Sequence, residues 1–172
     1  CLVGSEMCIR DSIRRLLIRA AQQKTIPIVN YNDPVSDEEN RKMELAIRRS
    51  HGDQVVECVD NDETAAVIAN LVHAKKLVLM TSTEGIYRDP ADPKTLVEQV
   101  TAKSIEELEE KVRQLQESCV GASRAGANGA KAKLEYALKS ARQGTMVIIG
   151  HARHRLSDLV EGRVACTRIG LE

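Results

Sequence analysis

Phenylalanine and tryptophan are absent, and Tyr31, Tyr87 and Tyr136 are the only aromatic residues in a chain of 172. The core must therefore be built from Val, Ile, Leu and Ala, which suits buried parallel strands flanked by helices. There is no excess of charge: 25 Lys and Arg balance 25 Asp and Glu. That balance removes the usual electrostatic reason to expect a nucleic-acid or anionic-membrane partner. No apolar run approaches the roughly 20 residues needed to cross a bilayer, so no membrane partner is expected either. No Cys-x-x-Cys pair occurs among Cys1, Cys8, Cys58, Cys119 and Cys166. An odd, scattered set reads as reduced thiols in a cytoplasmic protein, without a zinc site. With 42% hydrophobic and 29% charged residues over this length, the composition is that of one globular domain.

The opening residues CLVGSEMCIRDS carry neither a hydrophobic period nor the charged-then-apolar order of a signal peptide. They resemble the translated adaptor tract found at the ends of assembled metagenomic reading frames. Residues 1–12 are accordingly set aside as a non-native scar, and the domain is taken as 13–172.

Beyond them, apolar residues alternate between strand and helix patterns. Ile13, Leu16, Leu17 and Ala20 predict a helix, and Ile26-Pro27-Ile28-Val29 a short buried strand. A charged helix is expected over 36–50 and a strand over 55–59. Asp60-Asn61-Asp62 is expected to cap a helix reaching about His73. Leu77 to Met80 is the clearest strand, and another is expected near Leu96 to Val100. Ser104 with Glu107 three residues on is a capping box that opens a helix to about Gln116. A small-residue loop, Gly121 to Ala130, leads to a helix ending before Gly144. Met146 to Ile149 is a strand, Leu156 to Val160 a short helix, and Val164 to Ile169 a last strand. The expected architecture is α/β, a three-layer α/β/α sandwich with a mostly parallel sheet.

Ligands of such sheets collect at the carboxyl ends of the strands. Three polar clusters fall there: Asn30 to Asp33, Asp60 to Asp62, and Thr81 to Gly85. From Asp33 to Ala65 there are 10 acidic and 4 basic residues, and from Gly121 onward 9 basic and 4 acidic. One half suits a cationic group and the other a phosphate, although solvated surface explains the same asymmetry. In Gly121 to Lys133, small residues allow close backbone approach to an oxyanion, and a helix start offers free N–H groups. The spacing fits neither the Walker pattern nor the dinucleotide fingerprint, and a flexible loop before a lysine-rich helix is an equal reading.

Taken in order, Ile26 to Asp33, Val59 to Asp62, Leu79 to Pro90 and Gly126 to Leu134 resemble the glutamate 5-kinases of the amino-acid kinase family. The pairing of Asn-x-Asn-Asp with Asp-Asn-Asp is the most specific element. Gly-Ile-Tyr-Arg-Asp-Pro is shared across the wider superfamily, including aspartokinases and uridylate kinases. The resemblance implies ATP-dependent phosphorylation of the glutamate side chain to glutamyl 5-phosphate, the first step of proline synthesis, with Mg2+ accompanying the nucleotide. It implies that Asp33 and Asn61 hold the amino acid and that Asp62 orients lysines facing the transferred phosphoryl group. Thr81, Ser82, Gly126, Gly129 and Lys133 fall where the family contacts the nucleotide, Lys133 with a catalytic role. Ser82 stands where an aspartate is usual, and Ala127, Asn128 and Ala130 replace a threonine hydroxyl and a glycine of the loop. A homo-oligomer is the family expectation.

The resemblance covers the later part of that kinase domain. An earlier strand and glycine loop, with a second lysine, have no match here, so the chain alone is expected to be inactive, marginally stable and self-associating. Two other readings stay open: another enzyme of the superfamily, a uridylate kinase or aspartokinase, or a non-catalytic ligand-binding relative. His151-Ala-Arg-His154 reads either as a basic rim near the nucleotide or as a solvated turn, His73 as a packed residue, and Glu106 to Lys111 as an exposed helix face.

Overall fold

The structure is a computed structural model that describes residues 5–29, 61–89, 91–118 and 129–172, with side chains from residue 11 onward. The chain divides into two compact units, Cys1–Val72 and His73–Glu172.

The first unit contains helices α1 (Ser5–Gln22) and α2 (Asn61–Leu71). The end of α1 is set by its backbone: the Thr25 N–H donates to Ala20 O at 2.9 Å and the Lys24 N–H to Ala21 O at 3.0 Å. This six-to-one, five-to-two closure needs a left-handed residue, and Lys24 takes that position at φ 56° where glycine is usual. Arg14 Nε donates to Leu71 O at 3.0 Å, tying the helices together. In α2, Asp62 and Glu63 sit in the first turn, where the helix dipole favours anions. Its buried face is small: Thr64, Ala66 and Ala69.

Two expectations fail in this region. Ile26 to Val29 has a strand's apolar pattern but joins no ladder, and Ile26 and Ile28 are 90% and 96% exposed. A buried strand needs partners for its backbone as well as apolar side chains, and an apolar pattern of four residues does not by itself provide them. His73 is not packed; it is exposed at φ 51°, in the left-handed region just after α2 ends. The expected helix over 36–50 and strand over 55–59 lie outside the described residues.

The second unit is built on a four-stranded sheet of order β1-β3-β4-β2, with β1 Lys76–Thr81, β2 Gln99–Ala102, β3 Met146–His151 and β4 Cys166–Leu171. The pairs β1/β3 and β2/β4 are parallel, whereas β3/β4 is antiparallel. The sheet is thus mixed and mostly parallel, as an α/β architecture requires. The reversal follows α5 (Leu156–Glu161), where Gly162 at φ 73° receives the left-handed cap and turns the chain back. β2 starts later than expected because Pro93–Thr95 forms a 3-10 turn capped by the Asp92 side chain.

β3 is the centre of the unit. Val147, Ile148 and Ile149 are all fully buried, so both of its faces are covered, which explains the unbroken apolar run. On one face Leu159 of α5 packs with Ile148 and Cys166, ringed by Val78, Met146 and Val164. By strand alternation, Val100, Ala102, Val147, Ile149 and Ile169 point the other way, under helices α3 (Ile105–Ser118) and α4 (Gly129–Ala141). An Arg142–Glu109 ion pair at 2.7 Å and a Gln116 to Lys131 O hydrogen bond at 3.0 Å join those two helices.

Helix α3 opens as its capping sequence predicts. The Glu107 N–H donates to Ser104 Oγ, and Glu107 Oε2 accepts from the Lys103 N–H, each at 3.2 Å. Leu108, Val112 and Leu115 form its buried stripe. Glu107 is held below the ordinary carboxyl value of 4.5, first by the hydrogen bond from Lys111 and then by the Lys103 N–H. Glu106 is lowered by its own backbone N–H and then by Ser104. Carboxyls depressed in the folded state contribute stability above their unfolded pKa and lose it as pH falls through the folded one. The opening turn of α3 is therefore expected to stay ordered through the ordinary carboxylate range and to loosen below it. Amide exchange across residues 104–108 in an acid titration checks this. Glu107→Gln should blunt the response, and an identical acid profile in that variant contradicts the assignment.

Candidate functional site

β1 and β3 run in register from Lys76↔Met146 to Thr81↔His151, so both strands finish at the same level. Their outgoing loops therefore emerge side by side, the position where open α/β sheets present polar groups to ligands. The Ala152 N–H donates to Thr81 O at 2.8 Å across the junction.

The loop after β1 is fixed from both ends. Ser82 and Thr83 are exposed, while Gly85 and Ile86 are buried. The Thr83 hydroxyl donates to Gly85 O at 3.0 Å, and the Ile86 N–H donates to the buried Thr167 Oγ1 at 2.8 Å. Between them Glu84 contacts Arg153 and accepts from or donates to His154 Nε2 at 2.6 Å, according to the proton on that pair. His151 Nδ1 accepts the Arg153 N–H at 3.0 Å, and the His151 and His154 rings meet edge to face at 6.2 Å. A carboxylate from the neighbouring loop thus engages both Arg153 and His154.

Of the Gly-Ile-Tyr-Arg-Asp-Pro run, Ile86 to Asp89 are tied back to residues 91–97. The Val97 N–H donates to Ile86 O at 2.8 Å and the Arg88 N–H to Thr95 O at 3.1 Å. Asp89 Oδ1 accepts the Ala91 N–H at 2.9 Å, and Thr95 Oγ1 accepts the Asp89 N–H at 3.0 Å. Asp89 therefore shapes this turn through its own backbone, a common use of aspartate.

The residues singled out from sequence fall into three places. Thr81, half-buried, ends β1, and exposed Ser82 follows it. Gly129, at φ 53°, opens α4, and Lys133 is half-buried on the same helix. No acidic residue occupies the first turn of α4, unlike α2 and α3. Asn61 (exposed) and Asp62 (half-buried) open α2 in the first unit. Asp33 and Gly126 lie outside the described residues. Among the described residues no group of three or more His, Cys, Asp or Glu is gathered as a metal site, and no helix is long and apolar enough to cross a membrane.

The Amino acid kinase family model matches residues 4–151, and the chain belongs to that family. Over 176 aligned residues it is 31% identical to the glutamate 5-kinase of Geobacillus kaustophilus, covering 99% of this chain and 41% of that protein. The glutamate 5-kinase of Gloeobacter violaceus is 32% identical over 149 residues, covering 86% of this chain and 35% of that protein. The chain thus spans about two fifths of the length of the curated relatives it matches. Carbamate kinase from Giardia lamblia bound to AMP-PNP superposes with a TM-score of 0.51 at 18% identity. That match covers 66% of this chain and 32% of the carbamate kinase, and it supports the same fold.

Proposed function

We propose that the chain is, over residues 13–172, the later part of the catalytic domain of a cytoplasmic glutamate 5-kinase. In this reading the side-chain carboxylate of glutamate attacks the γ-phosphorus of ATP. The bond to the β–γ bridging oxygen breaks, and glutamyl 5-phosphate and ADP result, which opens proline synthesis. The observation that carries it is the 31% identity to a glutamate 5-kinase along 99% of the chain.

Phosphoryl transfer requires in-line placement and positive groups around the equatorial oxygens. Lys133 and the N–H groups at the start of α4 would supply such charge from fixed positions. The glycine at φ 53° and the acid-free first turn of that helix fit a phosphate group. Thr81 and Ser82, at the end of β1, would contact the nucleotide together with Gly126 and Gly129. Asp33 and Asn61 would take the ammonium and carboxylate of glutamate, and Asp62 would orient the lysines. Magnesium accompanying the nucleotide would supply further neutralisation of the developing charge. Self-association into a homo-oligomer belongs to the same proposal.

Calorimetric titration in the presence of magnesium and AMP-PNP tests the acceptor. Glutamate is expected to bind at least about tenfold more tightly than aspartate or UMP, because a site built for one polar group pattern rejects others strongly. Preference for UMP or aspartate would move the chain to another branch of the family. Amino-acid binding indifferent to nucleotide would make it a ligand-binding relative.

A further inference from the structure

Glu84 lies in the polar cluster Thr81 to Gly85 but was given no role of its own from sequence, and its side chain engages two others where β1 and β3 end. Its side chain is only 17% exposed, and that of His154 20%. A carboxylate sheltered to this degree between a guanidinium and an imidazole is held by both, and its loss leaves each without that partner. The contact joins the loop after β1 to the loop after β3, across 70 residues of sequence. It lies between two backbone anchors, Ala152 N–H to Thr81 O at one end and Ile86 N–H to Thr167 Oγ1 at the other. Within that span Ser82 and Thr83 stay exposed, and the Thr83 hydroxyl closes onto Gly85 O, so the loop is pinned at its flanks, at Thr83 and at Glu84.

The far side of the contact is equally constrained. The Arg153 N–H is held by His151 Nδ1, and the His154 N–H donates to His151 O at 3.1 Å. His151 is the last residue of β3, so the partners of Glu84 are referenced to one of the two central strands of the sheet. The charged or titratable groups shown facing Glu84 are Arg153 and His154, with His151 behind them.

We propose that Glu84 is a positioning residue: by engaging Arg153 and His154 it locks the loop after β1 to the loop after β3 and fixes how Thr81 and Ser82 meet a nucleotide. The lock itself stands on the geometry. Its effect on ligand affinity rests on the nucleotide-binding reading above.

The test uses the full 172-residue chain, Glu84→Gln, His154→Gln and the double variant. Three quantities are measured: amide hydrogen exchange, thermal melting, and affinity for AMP-PNP with magnesium. In Glu84→Gln, exchange at residues 82–84 is expected to rise about tenfold, the scale of one lost local closure. Affinity should fall about 3- to 10-fold, the weight of one such interaction. The melt should stay within about 2 °C, as expected for a contact outside the core. His154 ring nitrogen resonances should shift in Glu84→Gln, and the double variant should be no worse than either single one, as coupled partners require.

Unchanged exchange at 82–84, or additive single effects, overturns the lock. Exchange raised throughout the sheet with a large fall in melting temperature also overturns it, because Glu84 would then be a general structural residue. If the unsubstituted chain does not bind AMP-PNP, the nucleotide reading fails, while the exchange and resonance results still decide whether Glu84 locks the loop.

Discussion

Gly85→Ala is expected to lower folding stability by about 3 kcal/mol, at the upper end of what overpacking a buried site costs. A Cβ at this position would lie 2.4 Å from Thr167 Oγ1, 2.9 Å from Thr167 N and 3.1 Å from Leu96 Cδ1. Leu96 can turn aside, but the Thr167 backbone belongs to β4 and cannot. The same displacement would stretch the bond from the Ile86 N–H to Thr167 Oγ1, leaving a buried donor without its acceptor. For a chain of this size, about 3 kcal/mol corresponds to a melting temperature lower by roughly 6–12 °C. Thr167→Ala in the same background should restore only part of the loss, since the clash with the backbone nitrogen remains. A Gly85→Ala variant that melts with the parent would show that the loop after β1 does not press on β4.

Lys133→Met is expected to weaken binding of AMP-PNP with magnesium by about 10- to 100-fold, the worth of one charge-assisted contact to phosphate. The substitution keeps the apolar stem, which matters because Lys133 is half-buried beside the fully buried Leu134. Stability should therefore change by no more than about 1 kcal/mol. Lys131, exposed on the same helix, is the control: Lys131→Met should leave affinity within about twofold, as an exposed cation at longer range would. Equal losses at both positions would replace a specific phosphate contact with a diffuse positive field.

Much of the second unit follows from local pattern. The run Met146 to Ile149 is apolar without alternation, and the strand it forms is buried on both faces. Ser104 and Glu107 mark the start of α3 because their capping chemistry is complete within four residues. Other features depend on partners distant in sequence. Ile26 to Val29 carries a strand's composition, but pairing is a property of a second segment, and Ile26 and Ile28 are exposed. The antiparallel β4 depends on where α5 sets the chain down, which Val164 to Ile169 does not encode. Glu84 gave no sequence signal of its role, because its partners lie 69 and 70 residues away and only the β1/β3 register brings them together. A reading that treats strand ends as neighbours could have found it, by looking for basic residues after β3 to match an acid after β1.

Among the candidate site residues, the place of Thr81 and Ser82 at a strand end follows from the polar loop after the clearest strand, and their contact with a nucleotide rests on the family resemblance alone. Asp89 is the converse case, a motif residue whose contacts are those of a turn. Asn61 and Asp62 open a helix, as their capping chemistry predicts, and their part in substrate binding rests on the family resemblance alone.

The most direct test of the account is backbone amide chemical-shift mapping of the chain titrated with AMP-PNP and magnesium. Saturable shifts concentrated at residues 81–85 and 129–133, lost in Lys133→Met, are the predicted result. Absence of saturable shifts at both segments, or shifts confined to surfaces away from them, would contradict the claim that this end of the sheet and the start of α4 receive the nucleotide.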